Sequence, residues 1–308
     1  MKRALGLILA LGMFVTSGAH AVRIRVGLLP ILETLPVHVA KEKGYFGEGL
    51  QVELIPVASA AERDQLVASG EIDVIINDLV SAVLFNRKGQ QVLVVMTARA
   101  ATPKFPQFFV LGAPGSGLKN PSDLKGVPIA ISEATIIHYV TERLLQREGL
   151  RPSEIRFVPI PRIPDRMAAL NSGKVKAATL PDPLSLLALQ QGAVLIMDDS
   201  WYPEYSLSVY SFRRDFVRKY PEAVRTFLGA IGRAVKEINS DKSRWRNLLV
   251  EKKLVPPPLK GSYRIPDLPF GSVPSRAQWE DVLNWAIEKG LIGRRIPYEE
   301  AIVADYLP

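Results

Sequence analysis

The 308-residue chain contains no cysteine. That absence excludes disulfides, thiol nucleophiles and zinc–thiolate sites, and also a lipid carried on cysteine behind an export signal. Histidine is scarce as well. His20 lies in the first stretch of the chain, and only His38 and His138 follow, each within a segment of helical spacing. Neither a paired metal site nor a Ser-His-acid arrangement has a motif here, so no catalytic residue, metal or cofactor is expected. Long apolar runs are missing too: the run at 4–15 falls short of the ~20 residues a bilayer requires. The formal net charge of +8 is spread along the chain, densest at the doublets Arg213-Arg214 and Arg294-Arg295. A nucleic-acid surface calls for clustered basic residues interleaved with aromatics on one element, so diffuse charge reads as a solvated surface and no nucleic-acid partner is expected.

What the chain does have begins with Lys2 and Arg3, the apolar run 4–15 and the small-residue ending Ala19-His20-Ala21, the layout of an export signal. A signal at 1–21, cleaved near Ala21/Val22, predicts a soluble periplasmic protein. The rest is about the length at which chains divide into two domains.

An internal echo describes those domains. From Glu48 the chain reads EGL, a strand-like VELIPV, a helical AERDQLVASG, then EIDVIINDL; from Glu148 it reads EGL, IRFVPI, a helical IPDRMAALNSG, then KVKAATLPDP. Asp73 of the first copy becomes Lys176 in the second, so a shared plan carries different chemistry. The periodicities predict strands at 23–29, 52–57, 72–76, 91–97 and 108–112 in a first lobe. A second lobe is predicted to hold strands at 127–131, 155–160, 175–179 and 194–197, with helices between them. A strand at 206–212 then carries the chain back to the first lobe, followed by helices at 221–239, 245–252 and 275–289 and a Pro-rich ordered loop at 255–269. The expected fold class is α/β, with lobe 1 formed by 22–112 plus 206–308, lobe 2 by 113–205, and mostly parallel sheets flanked by helices.

Four phrases in this order, VGLLPILETLPVHVAKEKGYF, LVASGEIDVIIND, LKNPSDLKGVPIAIS and MAALNSGKVKAATLPDPLSLLALQQGA, resemble the periplasmic solute-binding proteins of ABC transporters in the nitrate, taurine, sulfonate and thiamine-precursor group. The resemblance covers about 23–239. It implies the type II periplasmic-binding-protein fold, two lobes joined by two crossing segments and closing on one small molecule. It also implies partners: a membrane permease with its ATPase, served by a monomer that meets the membrane only through that permease.

Ligands in open α/β sheets bind outside the carboxyl ends of strands. That rule selects Leu32, Glu33, Thr34 and Ser59, then Asn77, Asp78 and Arg99 from lobe 1. From lobe 2 it selects Ser132, Glu133, Ala134, Thr135, Pro181 and Asp182, with Trp201 at the hinge as a stacking candidate. The turn 132–135 reads equally as a ligand-binding helix start, as the resemblance implies, or as a simple cap. Asn77-Asp78 and Pro181-Asp182-Pro183 read as ligand contacts or turn formers, and Arg99 as an anion partner or a surface residue. Four acids on cleft loops (Glu33, Asp78, Glu133, Asp182) favour a ligand with hydrogen-bond donors, such as an aminopyrimidine or other amine-bearing nutrient, over a sulfonate or nitrate-like anion. Two alternatives share the fold: an enzyme of pyrimidine or menaquinone biosynthesis, whose synthase type needs a cysteine-rich motif absent here, and a ligand sensor without transport.

Overall fold

A computed structural model describes residues 21–57 and 59–308. All of the expected export signal except Ala21, together with Ala58, lies outside the described residues.

The first sheet holds β1 (Val22–Leu28), β2 (Leu50–Pro56), β3 (Val74–Asp78), β4 (Val92–Ala100) and, from later in the chain, β10 (Leu207–Arg213). The second holds β5 (Phe108–Gly112), β6 (Pro128–Ile131), β7 (Arg156–Pro159), β8 (Ala177–Pro181) and β9 (Val194–Asp198). Their orders are β2-β1-β3-β10-β4 and β7-β6-β8-β5-β9. Strand by strand these are the same plan. In each sheet a parallel trio is followed by one antiparallel strand, β10 or β5, inserted before the last strand. The echo at Glu48 and Glu148 is therefore a true topological repeat, and β3 and β8 occupy equivalent central positions.

Local chemistry explains the elements. In β1 the odd residues Arg23 and Arg25 point outward while Ile24 and Val26 are fully buried, the alternation of a strand with one wet face. β3 begins Val-Ile-Ile and is buried on both faces, as a central strand under helices must be. The turns that deliver the chain into β3 and β8 use Gly70 at φ +80° and Gly173 at φ +71°, the left-handed conformation that a Cβ disfavours.

The helices are α1 (Leu35–Glu42), α2 (Ala60–Ala68), α3 (Leu79–Phe85), α4 (Ile136–Arg147), α5 (Ile163–Asn171), α6 (Leu184–Gln190), α7 (Arg214–Lys219), α8 (Pro221–Ser240), α9 (Arg246–Glu251), α10 (Arg276–Glu288) and α11 (Tyr298–Ala301). The apolar stripe of α8, with Val224, Phe227, Ile231 and Val235 all buried, packs against α1 on the first sheet. On the second sheet α5 and α6 share one apolar layer around Leu170, Leu180 and Ala188.

Two expectations about lobe membership need correction. Residues 108–112 were expected in the first lobe, but β5 pairs with β8 and β9 of the second sheet. The chain thus crosses between sheets within 101–107, before β5. An apolar run carries no record of which sheet it joins, because antiparallel insertion is decided by distant partners. Residues 276–288, assigned with lobe 1, contact α3 but are also tied to α4: Trp285 donates to Glu142 at 2.8 Å, and Asp281 accepts from Tyr139 at 2.5 Å and Arg143 at 3.0 Å. Helix α10 straddles both halves.

Candidate ligand cleft

The carboxyl end of β4 and the turn after β1 meet the carboxyl end of β8 through Arg99, Glu33 and Asp182, and the segments 101–107 and 199–206 carry the chain between the two sheets. Gln107, 2% exposed, stitches the crossings together. Its amide donates to Asp199 at 2.8 Å, its side chain donates to the Ser206 carbonyl at 3.1 Å, and its carbonyl accepts from the Asp182 amide at 2.7 Å.

Between the sheets lies a buried charge cluster. Arg99, from the end of β4, donates to Asp182, just beyond β8, at 2.8 Å, to the Pro106 carbonyl at 3.1 Å, and stands 3.6 Å from Glu33. Glu33 comes from the 3-10 turn Leu32–Thr34 after β1. Tyr263, from the Pro-rich loop, donates to the same Asp182 carboxylate at 2.6 Å, and Ser208 of β10 donates to Glu33 at 3.3 Å. Burial opposes the charge on Arg99, yet Asp182 and Glu33 outweigh it and hold the guanidinium above its ordinary value. Burial, reinforced by Asp182, raises the Tyr263 phenol well above its ordinary value.

The structure thus brings Glu33, Arg99 and Asp182 together across the two sheets. Arg99 is not a surface residue: at 2% exposure it is among the most buried side chains, and an internal acid already meets it. The other candidates have local work. Ser59 caps α2 by accepting from the Glu62 amide at 3.1 Å. Asp78 caps α3 through the Ser81 amide at 2.8 Å, and burial raises its carboxyl above the ordinary value against the pull of that cap. Asn77 donates to Ser81 and accepts from Ser211 at 2.7 Å. Leu32 and Thr34 are fully buried, and Pro181 ends β8.

In the turn before α4, Thr135 caps the helix through the Ile137 amide at 3.2 Å, Ser132 donates to the Pro161 carbonyl at 3.0 Å, and Glu133 is exposed. Ala134 sits at φ +55°, a left-handed strain of about 1–3 kcal/mol for a residue with a Cβ, and its amide donates to His138 Nδ1 at 3.3 Å. Trp201 is 50% exposed, while Tyr202 lies under Arg147 with its hydroxyl on Glu148 at 2.7 Å.

Tyr263 and Gln107 escaped the sequence reading. An aromatic between Ser262 and Arg264 in a Pro-rich stretch gives no periodic signal; only the loop's return to the cleft singles it out. Among the described residues no group of three or more His, Asp or Glu is placed to hold a metal.

A two-lobed α/β frame with a buried, polar junction at the strand ends fits a small-molecule binder. Residues 32–242 match the family described as NMT1/THI5 like. The chain belongs to the NMT1/THI5-like family. Its relatives include the taurine-binding periplasmic protein of Escherichia coli K12, 26% identical over 219 residues, which are 70% of this chain and 66% of that protein. Alignments to two curated E. coli relatives span 50% and 66% of their lengths. Among solved structures, the periplasmic aliphatic sulphonate binding protein SsuA of E. coli matches at a TM-score of 0.77 with 20% identity, covering 91% of this chain and 92% of that one. The alkanesulfonate-binding protein SsuA of Xanthomonas axonopodis pv. citri bound to MOPS matches at 0.76 with 18% identity, covering 92% and 98%. These structural likenesses place the NMT1/THI5-like chain in the two-lobed periplasmic-binding-protein fold.

Proposed function

We propose that this protein is the periplasmic binding component of an ABC importer, a monomer that captures a small organic anion of the sulfonate class and passes it to a permease driven by its ATPase. The lobes are 22–100 with 207–275 and 289–308, and 108–198, hinged at 101–107 and 199–206, and α10 rides on both. The observation that carries the reading is the meeting of Arg99 and Asp182 across two facing strand-end edges, the place where a repeat-built α/β pair closes on a ligand. The taurine-binding relative supports the sulfonate class. Among the described residues no helix is long and apolar enough to cross a membrane, in keeping with a protein that meets the membrane through a partner.

The acids that argued for an amine-bearing ligand are largely spoken for. Asp78 caps a helix, Glu133 faces solvent, and Glu33 and Asp182 flank Arg99. Asp182 is committed to Arg99 and Tyr263, while Glu33 stands 3.6 Å from Arg99 and takes Ser208 at 3.3 Å; this junction sets one cation against two carboxylates, so the positive partner of an anion has to come from elsewhere along the edge. A thermal-shift panel decides the class: taurine or a short alkanesulfonate at 100 times its dissociation constant adds about 2.7 kcal/mol of apparent stability, and an aminopyrimidine leaves the melting temperature unmoved. Stabilisation by the aminopyrimidine alone, or turnover of the bound compound, overturns the proposal.

A further inference from the structure

Three arginines among the described residues are buried: Arg63, Arg99 and Arg166. Arg63 pairs with Asp64 at 2.8 Å, and Arg99 with Asp182 at 2.8 Å. Arg166, in the first turns of α5, is 0% exposed and makes one side-chain hydrogen bond, from Nη1 to the Ile160 carbonyl at 2.7 Å; its Nε and Nη2 have no acceptor. Its surroundings on α5 are apolar, with Ile163, Met167 and Leu170 in the same layer. Burial with no offsetting acid pulls the guanidinium down to about 10, against an ordinary value above 12.

A buried cation without a counter-ion is costly to the fold that carries it. Its position says what would repay that cost. Ile160 directly follows β7, and its amide donates at 2.9 Å to the carbonyl of Ile131, the last residue of β6 and the neighbour of Ser132. Ser132 in turn donates to Pro161. Arg166 therefore lies just under the carboxyl edge of the second sheet, the edge that Asp182 presents to Arg99 and Tyr263. A second orphan lies on the neighbouring helix: Ser185, in the first turn of α6, is fully buried and its hydroxyl has no partner, and α6 packs on α5. Two unmet hydrogen-bonding groups, one cationic, border the same edge, and no acid offsets the charge of Arg166.

We infer that Arg166, assisted by Ser185, receives the anionic head of the ligand from the second lobe. This rests on the reading of the cleft as a sulfonate site and names the residue that makes it one. The planar fork of guanidinium donors matches two oxygens of a tetrahedral oxyanion, and a dry surround strengthens the contact. The first lobe then contributes shape and neutral donors rather than the main positive charge, since the two acids beside Arg99 more than offset its charge.

The test is calorimetric titration of the protein and its R166M and R166Q variants with ethanesulfonate and taurine, beside thermal melts without ligand. Wild type is expected to bind. Both variants are expected to lose about 100-fold in affinity, the scale of a charge-assisted hydrogen-bond pair, while their unliganded melting temperatures stay level or rise because an uncompensated buried charge has gone. R166K, which keeps charge without the fork, should fall in between. Wild-type binding that persists unchanged in R166Q overturns the Arg166 assignment and leaves the importer reading standing. Failure of wild type to bind either sulfonate overturns both. A melting temperature that drops steeply in R166Q while affinity holds assigns Arg166 to the framework and rejects the inference.

Discussion

Replacing Asp182 with asparagine keeps the side-chain shape and removes one charge from the junction between lobes. In the native cluster Asp182 accepts from Arg99 at 2.8 Å and from Tyr263 at 2.6 Å, with Arg99 2% and Asp182 7% exposed. After D182N the guanidinium retains Glu33 at 3.6 Å and the Pro106 carbonyl at 3.1 Å. Breaking a buried pair from one side costs about 3–5 kcal/mol, and the surviving Glu33 places this case at the lower end, about 3 kcal/mol. At roughly 2–4 °C per kcal/mol for a chain of this size, the melting temperature should fall by about 6–12 °C. Equilibrium urea unfolding followed by circular dichroism measures the loss. The double variant R99M/D182N should be less destabilised than the sum of its singles, by about 2 kcal/mol, because the two side chains share one interaction. The pair also joins two sheets, so D182N should enlarge the radius of gyration in X-ray scattering without ligand. A D182N variant within about 0.5 kcal/mol of wild type, or singles that simply add, would refute the claim that this pair locks the junction.

Other perturbations have defined outcomes. Burial pushes the Asp199 carboxyl up to about 7, against the pull of Ser206 and of the Gln107 and Phe108 amides. Its protonated form is thus favoured in the folded state: the contribution is fully present below about pH 4, the unfolded value, and is lost as pH rises through about 7. D199N should flatten that part of the melting-temperature profile between pH 4 and 7; a profile parallel to wild type contradicts the assignment. Glu142 is 3% exposed and accepts from Trp285 at 2.8 Å and Lys289 at 2.6 Å, so E142A leaves an indole N–H and an ammonium without their acceptor. It should cost about 2–4 kcal/mol in urea, with a change in tryptophan emission; an unaltered emission spectrum would show that α10 does not depend on this anchor. The R166Q variant should lose sulfonate affinity while its unliganded melting temperature stays level or rises.

Much of this architecture is legible in the amino-acid sequence, for a physical reason. The repeated Gly-Leu turn, strand, helix and Ser-Gly turn are local patterns, and each local pattern builds the same unit, so the echo alone placed Asp78 and Asp182 at matching strand exits. It could not say that Asp78 would cap α3 while Asp182 would accept from Arg99, since those partners are 3 and 83 residues away. The membership of β5 was hidden because Phe-Phe-Val-Leu-Gly satisfies any central strand. Arg166 sat inside a stretch read only as a helix, IPDRMAALNSG, where a charged residue ordinarily faces water. Its complete burial emerges only once α5 is packed and Nη1 reaches the Ile160 carbonyl just beyond β7. Trp201, readable as either a stacking surface or hinge packing, stands half in solvent.

The most direct test of the central claim is a crystal structure of the protein grown with ethanesulfonate. The expected result is an unaltered ligand between the two sheets, its sulfonate oxygens within hydrogen-bond distance of Arg166 and its other end against residues of the first lobe. A ligand seated away from the facing strand ends, or found chemically changed, would contradict the reading of this cleft as a site of capture and delivery.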